Sequence, residues 1–516
     1  VSSYNFCRQT SKDDCSGVAS SFRLYICHGP NCAVFSLTYH IISFVYKGNN
    51  KFLQNLKLYV FSMFGRVIVL LPNANDRAEA SKIDPLKYEI HFLHASDKVK
   101  DKKMSTFDYG EFMVKPGFLN DYVYRAVNYV RENGINGIMY GHDMSSVIAS
   151  VVCEKTGLPG SSLDSTFICL HKYYSRQNSP DNLWYDYIDL DDSNESWKSR
   201  ISYPCFVKAP FLTSNKGCCV VENEIAMIAA LASIRELTVP YFKGYAEFFR
   251  KYLNLKKFPL AVKNIVVAEQ LIQCKDQYFV ESWVDGNGVC STYTTAVECF
   301  CNQKEDIITG YVTPEFTLDK NDGEIMVKTA EDAALRAGLL NSFFNVELWK
   351  IGNEFKVIEI NARCVSMSSA TYTRMFGFSN YEAAIALACG QRDKIPKSTP
   401  VFYQQGDEIS GDFYMLSYEE GSTKNLIDFE YARNGAILDG AYSNHGPGIE
   451  LFVTEESVVK QRSTRGATLC SYMLTANSVD ELFENMKKIR SKVFLCQDHP
   501  DLHIVEPKRL ADNKKG

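Results

Sequence analysis

The stretch that most restricts what this chain can fold into is residues 345–363, NVELWKIGNEFKVIEINAR. Gly352-Asn353 stands between two runs of aliphatic and aromatic residues, the pattern of a tight β-hairpin. With the loop centred on Asn353, Glu347 falls opposite Glu359. Alternation along the strands then puts Glu359, Asn361 and Arg363 on one face. Phe344, Val346, Leu348, Ile358 and Ile360 take the other, which becomes the core side. Two carboxylates about 5 Å apart repel by roughly 3 kcal/mol at an effective dielectric of about 20. A cation would offset that repulsion. An oxygen-only set of two Glu and one Asn suits Mg²⁺, with Mn²⁺ as a substitute, better than zinc or copper. An ordinary solvated hairpin face is the competing reading of these residues alone.

At 516 residues the chain is too long for one hydrophobic core, and about three to four domains are expected. The net charge of −5 comes without any lysine or arginine cluster, which argues against nucleic acid as a partner. The 17 cysteines are odd in number and none is spaced CxxC, so reduced thiols in a cytoplasmic protein are expected. Residues 32–46 are apolar but too short to span a bilayer, so a buried strand or helix is expected there and no membrane contact. Residues 1–54 receive no domain assignment.

Along the rest of the chain, RVIVLL at 66–71 reads as a buried parallel strand, and 88–93 and 137–140 repeat the theme. Helices are expected at 121–133 and at 144–156, the latter starting near Asp143 and stopping at Gly157. Strand–helix alternation of this kind implies a small doubly wound sheet. No GxGxxG follows the first strand, so a dinucleotide site is unsupported. Residues 177–199 are polar and read as a surface connector. Residues 202–221 give two strand-like runs, with Lys208 on the first and Ser214, Lys216 and Gly217 in the loop between. Such a loop can lay backbone N–H groups and an ammonium against phosphates, or it can be a plain hairpin with a solvated lysine. Helices are expected at 224–235, 241–256, 329–340, 381–389 and 479–493, with a β-rich segment over 401–495.

Taken together, these stretches resemble the ATP-grasp superfamily from about residue 60 to 495. The similarity is to its carboxylate–amine ligase branch, with a biotin-carboxylase-like N-terminal domain. VELW and VIEINAR resemble the metal-binding hairpin, and GLPG followed by HKYYSR resembles the join between N-terminal domain and body. The resemblance implies an α/β (α+β) ATP-grasp fold. Its parts would be a doubly wound domain at 55–163, an ATP-grasp domain at 164–395 with its lid at 201–270, and a β-rich domain at 396–516. It implies ATP and Mg²⁺, the metal on Glu347, Glu359 and Asn361. Lys172, Lys208 and the Ser214–Lys216–Gly217 loop would face phosphates. Backbone groups of Glu269, Gln270 and Leu271 would meet adenine and Asp276 the ribose, with Glu281 either competing for the ribose or lining the substrate side. Arg363 and Lys208 would be the catalytic cations. Where relatives commonly carry glycines after this motif, the chain has Cys364-Val365-Ser366-Met367-Ser368-Ser369, which implies a reshaped acceptor pocket. The implied reaction joins a small-molecule carboxylate to an amine through an acylphosphate and releases ADP and phosphate, and a homodimer is compatible with it. Carboxyphosphate chemistry on bicarbonate and a non-catalytic nucleotide-binding protein are the alternatives. No biotin-attachment motif supports the former.

Overall fold

The computed structural model describes residues 22–28, 31–37, 64–99, 109–212, 216–274, 276–301, 304–395, 401–418, 420–459, 467–495 and 504–507. They divide into two compact units, residues 1–64 with 85–87, and residues 65–84 with 88–516. In the first, an antiparallel hairpin pairs β1 (Phe22–His28) with β2 (Asn31–Leu37). The apolar run at 32–46 is therefore a strand as far as Leu37, and its remainder lies outside the described residues.

The second unit opens with a parallel sheet ordered β4–β3–β5, built from β3 (Gly65–Leu70), β4 (Tyr88–Leu93) and β5 (Gly137–Met139). Ile68 and Leu70 are fully buried against Val123, Val127, Val147 and Ile148 of the flanking helices Phe118–Asn133 and Asp143–Thr156. This is why the strand reads as one continuous apolar run. Gly157, at φ 72°, closes the second helix where the sequence places its stop.

A four-stranded antiparallel sheet follows in the order β6–β9–β7–β8, from β6 (Tyr185–Asp189), β7 (Cys205–Lys208), β8 (Cys218–Val221) and β9 (Ile265–Gln270). β6 lies inside the stretch expected to be a polar connector. Its alternating YDYID pairs with β9 over five residues, and pairing overrides its polarity. The two helices expected at 224–235 and 241–256 are one helix, Glu224–Tyr252, with Pro240 inside it. The proline removes a single donor on an exposed turn, where water can serve the freed carbonyl. Among the described residues this helix alone is long and apolar enough to cross a membrane, and its far half buries Tyr245, Phe248 and Phe249 in the protein core.

The largest sheet is antiparallel and runs β14–β13–β10–β11–β12–β15, then the strand Ala467–Ala476. Its members are β10 (Gln277–Val284), β11 (Cys290–Cys301), β12 (Lys304–Thr313), β13 (Ser342–Ile351), β14 (Glu354–Asn361) and β15 (Ile409–Ser417). Helices Lys320–Ala337 and Val479–Val493 cover one face, where Met326, Ala330, Leu482 and Met486 share a core with Val346, Leu348 and Ile360. The first of these helices begins at Lys320 rather than 329. Asp319 caps it by accepting from the Asp322 N–H, a start signal that Gly323 disguises in the sequence. The opposite face of the sheet carries Glu347 among aromatic residues such as Phe279.

The hairpin that carries the site differs from expectation in one instructive way. Gly352-Asn353 form a two-residue turn with Ile351 opposite Glu354. A regular ladder from that turn would place Ile358 opposite Glu347. A β-bulge adds one residue to β14 at this point, and Glu359 pairs with Glu347 after all. The expected core position of Ile358 is therefore wrong. Val357, 2% exposed, takes it, and Ile358 is only half-buried.

Candidate active site

Three elements meet at the polar end of the hairpin. Glu347 and Glu359 face each other, and the Asn361 amide donates to Glu347 Oε1 at 3.3 Å and to Asn345 Oδ1 at 3.4 Å. Lys172 is the first residue of helix Lys172–Asn178, and its Nζ lies 3.1 Å from Glu359 Oε2. Arg363 Nε lies 2.9 Å from Oδ1 of Asp143, which opens the helix Asp143–Thr156 behind its His142 N-cap. Of these residues, Asp143, Lys172, Glu359 and Asn361 line a small cleft together with Ser146, Cys169, Phe211 and Ala362. The structure thus brings Lys172, Glu347, Glu359, Asn361 and Arg363 together.

Their charges do not cancel evenly. Burial and the neighbouring Glu359 push the Glu347 carboxyl up to about 8. Burial acts on Glu359 in the same sense, but Lys172 and Lys208 outweigh it and hold that group below its usual range. Burial would lower the Lys172 ammonium, yet Glu359 raises it overall. The cations therefore outweigh burial at Glu359, whereas at Glu347 Arg363 and Lys172 do not. Two carboxylates and an amide oxygen with unmatched negative charge fit a hard divalent cation. Glu347, Glu359 and Asn361 are the residues that would hold it. Among the described residues no three His, Cys, Asp or Glu side chains gather as a metal set, so the amide oxygen is needed to complete this one.

Lys208 is on β7, and its ammonium forms a buried ion pair with Glu269 Oε1 on β9. Arg176 Nη2 contacts the other Glu269 oxygen at 3.2 Å and Nη1 reaches Asp181 at 3.2 Å. Arg176 and Asp181 also hold the backbone of Val357 at the hairpin edge, through its carbonyl at 2.7 Å and its N–H at 3.3 Å. Burial disfavours the Glu269 carboxylate, but Lys208 and Arg176 hold it below the ordinary value. Lys208 Nζ also lies 5.9 Å from the Trp349 ring centre and 5.6 Å from that of Phe206. In the adjoining loop Ser214 falls outside the described residues, and Lys216 is exposed. Gly217 has φ 68°, and a Cβ there would sit 2.9 Å from that of Ala209, so this position needs glycine. Gln270 ends β9, Leu271 follows it half-buried, and Asp276 is exposed just before β10.

Sequence reasoning did not find Asp143, Arg176 or Asp181, because each acts through a partner distant in the chain. The loop after Arg363 shows the same dependence. Glu281 accepts from the Val365 N–H at 2.9 Å and from the Asn380 amide at 2.7 Å. Asp412 accepts from Ser368 and from Thr371 Oγ1, and Asn444 accepts from the Ala370 N–H at 3.0 Å. The glycine-poor run is pinned by side chains rather than left loose. Glu281 thus lies against this loop.

No protein-family model matches the sequence, and no match is found among curated proteins. Solved structures do match. The L-amino acid ligase from Bacillus licheniformis superposes with TM-score 0.59 at 13% identity, covering 85% of this chain and all of that one. N5-carboxyaminoimidazole synthetase from Staphylococcus aureus, complexed with ADP, gives 0.55 at 13% identity, covering 83% of this chain and 97% of its own. Biotin carboxylase from Campylobacter jejuni, in a β,γ-ATP complex, gives 0.53 at 16% identity, covering 86% and 92%. Over most of its length, then, the chain has the α/β ATP-grasp fold of these ligases and carboxylases.

Proposed function

We propose that the chain is an ATP-dependent ligase that joins a carboxylate to an amine through an acylphosphate, releasing ADP and phosphate. The observation that carries this reading is the Glu347–Glu359–Asn361 oxygen set on one hairpin, with Lys172 and Arg363 beside it. Forming an amide from a carboxylate in water is uphill, so a carboxylate oxygen must first become a leaving group. Phosphoryl transfer does this, and it asks the protein for positioning and charge stabilisation more than for a nucleophile. Bound Mg²⁺ would neutralise phosphate charge. Lys172, oriented by Glu359, offers its ammonium to phosphate oxygens at the cleft. Arg363, held by Asp143, presents a fixed guanidinium to the acyl or transferred phosphoryl oxygens. Lys208 stands at the same end, anchored on Glu269, and the 216–217 turn brings the lid backbone near it.

Likeness to the L-amino acid ligase supports amino acids as the first substrates to try. The working domain division is 55–163, 164–395 and 396–516, with adenine on the Glu269–Gln270–Leu271 end of β9 and ribose on Asp276. The test is a phosphate-release screen with Mg·ATP and pooled amino acids, followed by chromatography of the nucleotide. ADP and phosphate, released faster when an amine is present, are expected. AMP with pyrophosphate would overturn the acylphosphate route. Lys208→Met should weaken ATP binding by ~2–4 kcal/mol in calorimetry, the usual size of a lost phosphate contact.

A further inference from the structure

A third carboxylate on the site face, Glu298, has no hydrogen-bond or ion-pair partner among the described residues. Glu298 is 2% exposed, and neither of its carboxylate oxygens accepts a hydrogen bond. It sits on β11, directly opposite Tyr311 on β12. Phe279 on β10 lies opposite both Glu347 and Ala296, so Glu298, two residues past Ala296, shares the face of the metal-type carboxylates. The cationic side chains of the site are already engaged: Lys172 with Glu359, Lys208 with Glu269, Arg363 with Asp143. Burial, with Glu347 and Glu359 nearby, raises the Glu298 carboxyl well above the ordinary range, so the counter-charge of an incoming cation would lift that penalty and restore its charge.

The walls around it narrow the identity of that counter-charge. The Phe279 and Tyr311 rings meet edge to face at 5.3 Å, and Tyr414 continues the row at 6.1 Å from Tyr311. A hydrated metal ion prefers a shell of oxygens, whereas an ammonium is held well by one carboxylate beside aromatic rings. We infer that Glu298, walled by Phe279 and Tyr311, binds the ammonium group of the amine substrate and makes the site selective for cationic acceptors. This rests on the ligase reading of the same sheet face and names the class of its second substrate.

The full chain, with Mg²⁺ and a non-hydrolysable ATP analogue, is titrated by calorimetry with methylammonium, 1,4-diaminobutane and, as a control, sodium propionate. Saturable binding of the two amines is expected. Glu298→Gln should raise their dissociation constants about tenfold or more, the effect of losing one charged hydrogen-bond partner, with nucleotide binding unchanged. Phe279→Leu, which keeps an apolar side chain, should weaken the amines by a smaller factor and serves if the first variant does not fold. Equal amine affinity in both variants overturns the inference. So does nucleotide binding without any amine binding in the parent chain, which leaves the ligase reading standing. A fall in bound Mn²⁺ by paramagnetic resonance in Glu298→Gln would make the residue a metal ligand and also overturn it. Amine binding through Glu298 without nucleotide binding would sink the ligase reading and keep the cation site.

Discussion

Glu269 and Glu347 are the same residue type, one buried and the other half-buried, and meet opposite fates. Glu269 lies between Lys208 and Arg176, which hold its carboxyl below the ordinary range against the effect of burial. Glu347 faces Glu359 and is pushed up instead. The first region is a closed circuit, with Arg176 also serving Asp181 and the hairpin backbone. The second is open, and its unmatched charge is what a ligand would complete. Burial alone therefore does not distinguish a structural carboxylate from a functional one. The charge left over after counting neighbours does.

The sharpest way to break the comparison is to open the closed circuit. Arg176→Met should cost about 3–5 kcal/mol, because it leaves Glu269 and Asp181 buried with too little positive charge. Denaturant unfolding followed by fluorescence would measure it, and a loss below 1 kcal/mol would mean the pair is not buried in solution. In the open region the effect should fall on activity instead. Glu359→Gln should cut Mg-dependent ATP turnover by about 10²–10³-fold while the protein stays folded, as when one transition-state contact is removed. Unchanged turnover in the folded variant would refute the metal assignment.

The smallest effect concerns Asp76, whose burial raises its carboxyl from 3.8 to about 7. The folded-state value lies above the unfolded one, so the neutral acid's contribution is fully present below about pH 4 and is lost as pH rises through 7. Asp76→Asn removes that loss while keeping an oxygen for the Asn73 N–H. Its melting temperature should exceed the parent's by a few degrees at pH 8 and match it at pH 4. The opposite order would show that a cation reaches Asp76 in solution.

Local signals were the legible ones. Gly352-Asn353 and the alternation around it announced the hairpin, and the helix starts expected near Asp143 and Val479 and the stop at Gly157 lie close to the observed ends. The Glu347–Glu359 pairing was foreseen, but it arises from a tight turn plus a bulge rather than from a loop centred on Asn353. A bulge leaves no composition signal, because Ile358 suits a core position as well as any neighbour. Partners were not legible. Nothing near Lys208 in sequence points to Glu269, and nothing near Arg363 points to Asp143, since strand order and helix docking make both pairs. Glu298 sits in an alternating strand where a polar residue looks like an outward one, and only the sheet order turns it inward.

The position of β14 at the end of the main sheet carries one more consequence. An end strand offers open N–H and C=O groups that a second chain can extend, the usual start of sheet-mediated aggregation. Here the outward groups of Val357 are occupied by Asp181 and Arg176, so the strand is plugged at the bulge. The residues that balance the lid's charge thereby also govern solubility. A chain lacking Arg176 should cloud at concentrations where the parent stays clear, even under conditions too mild to unfold it.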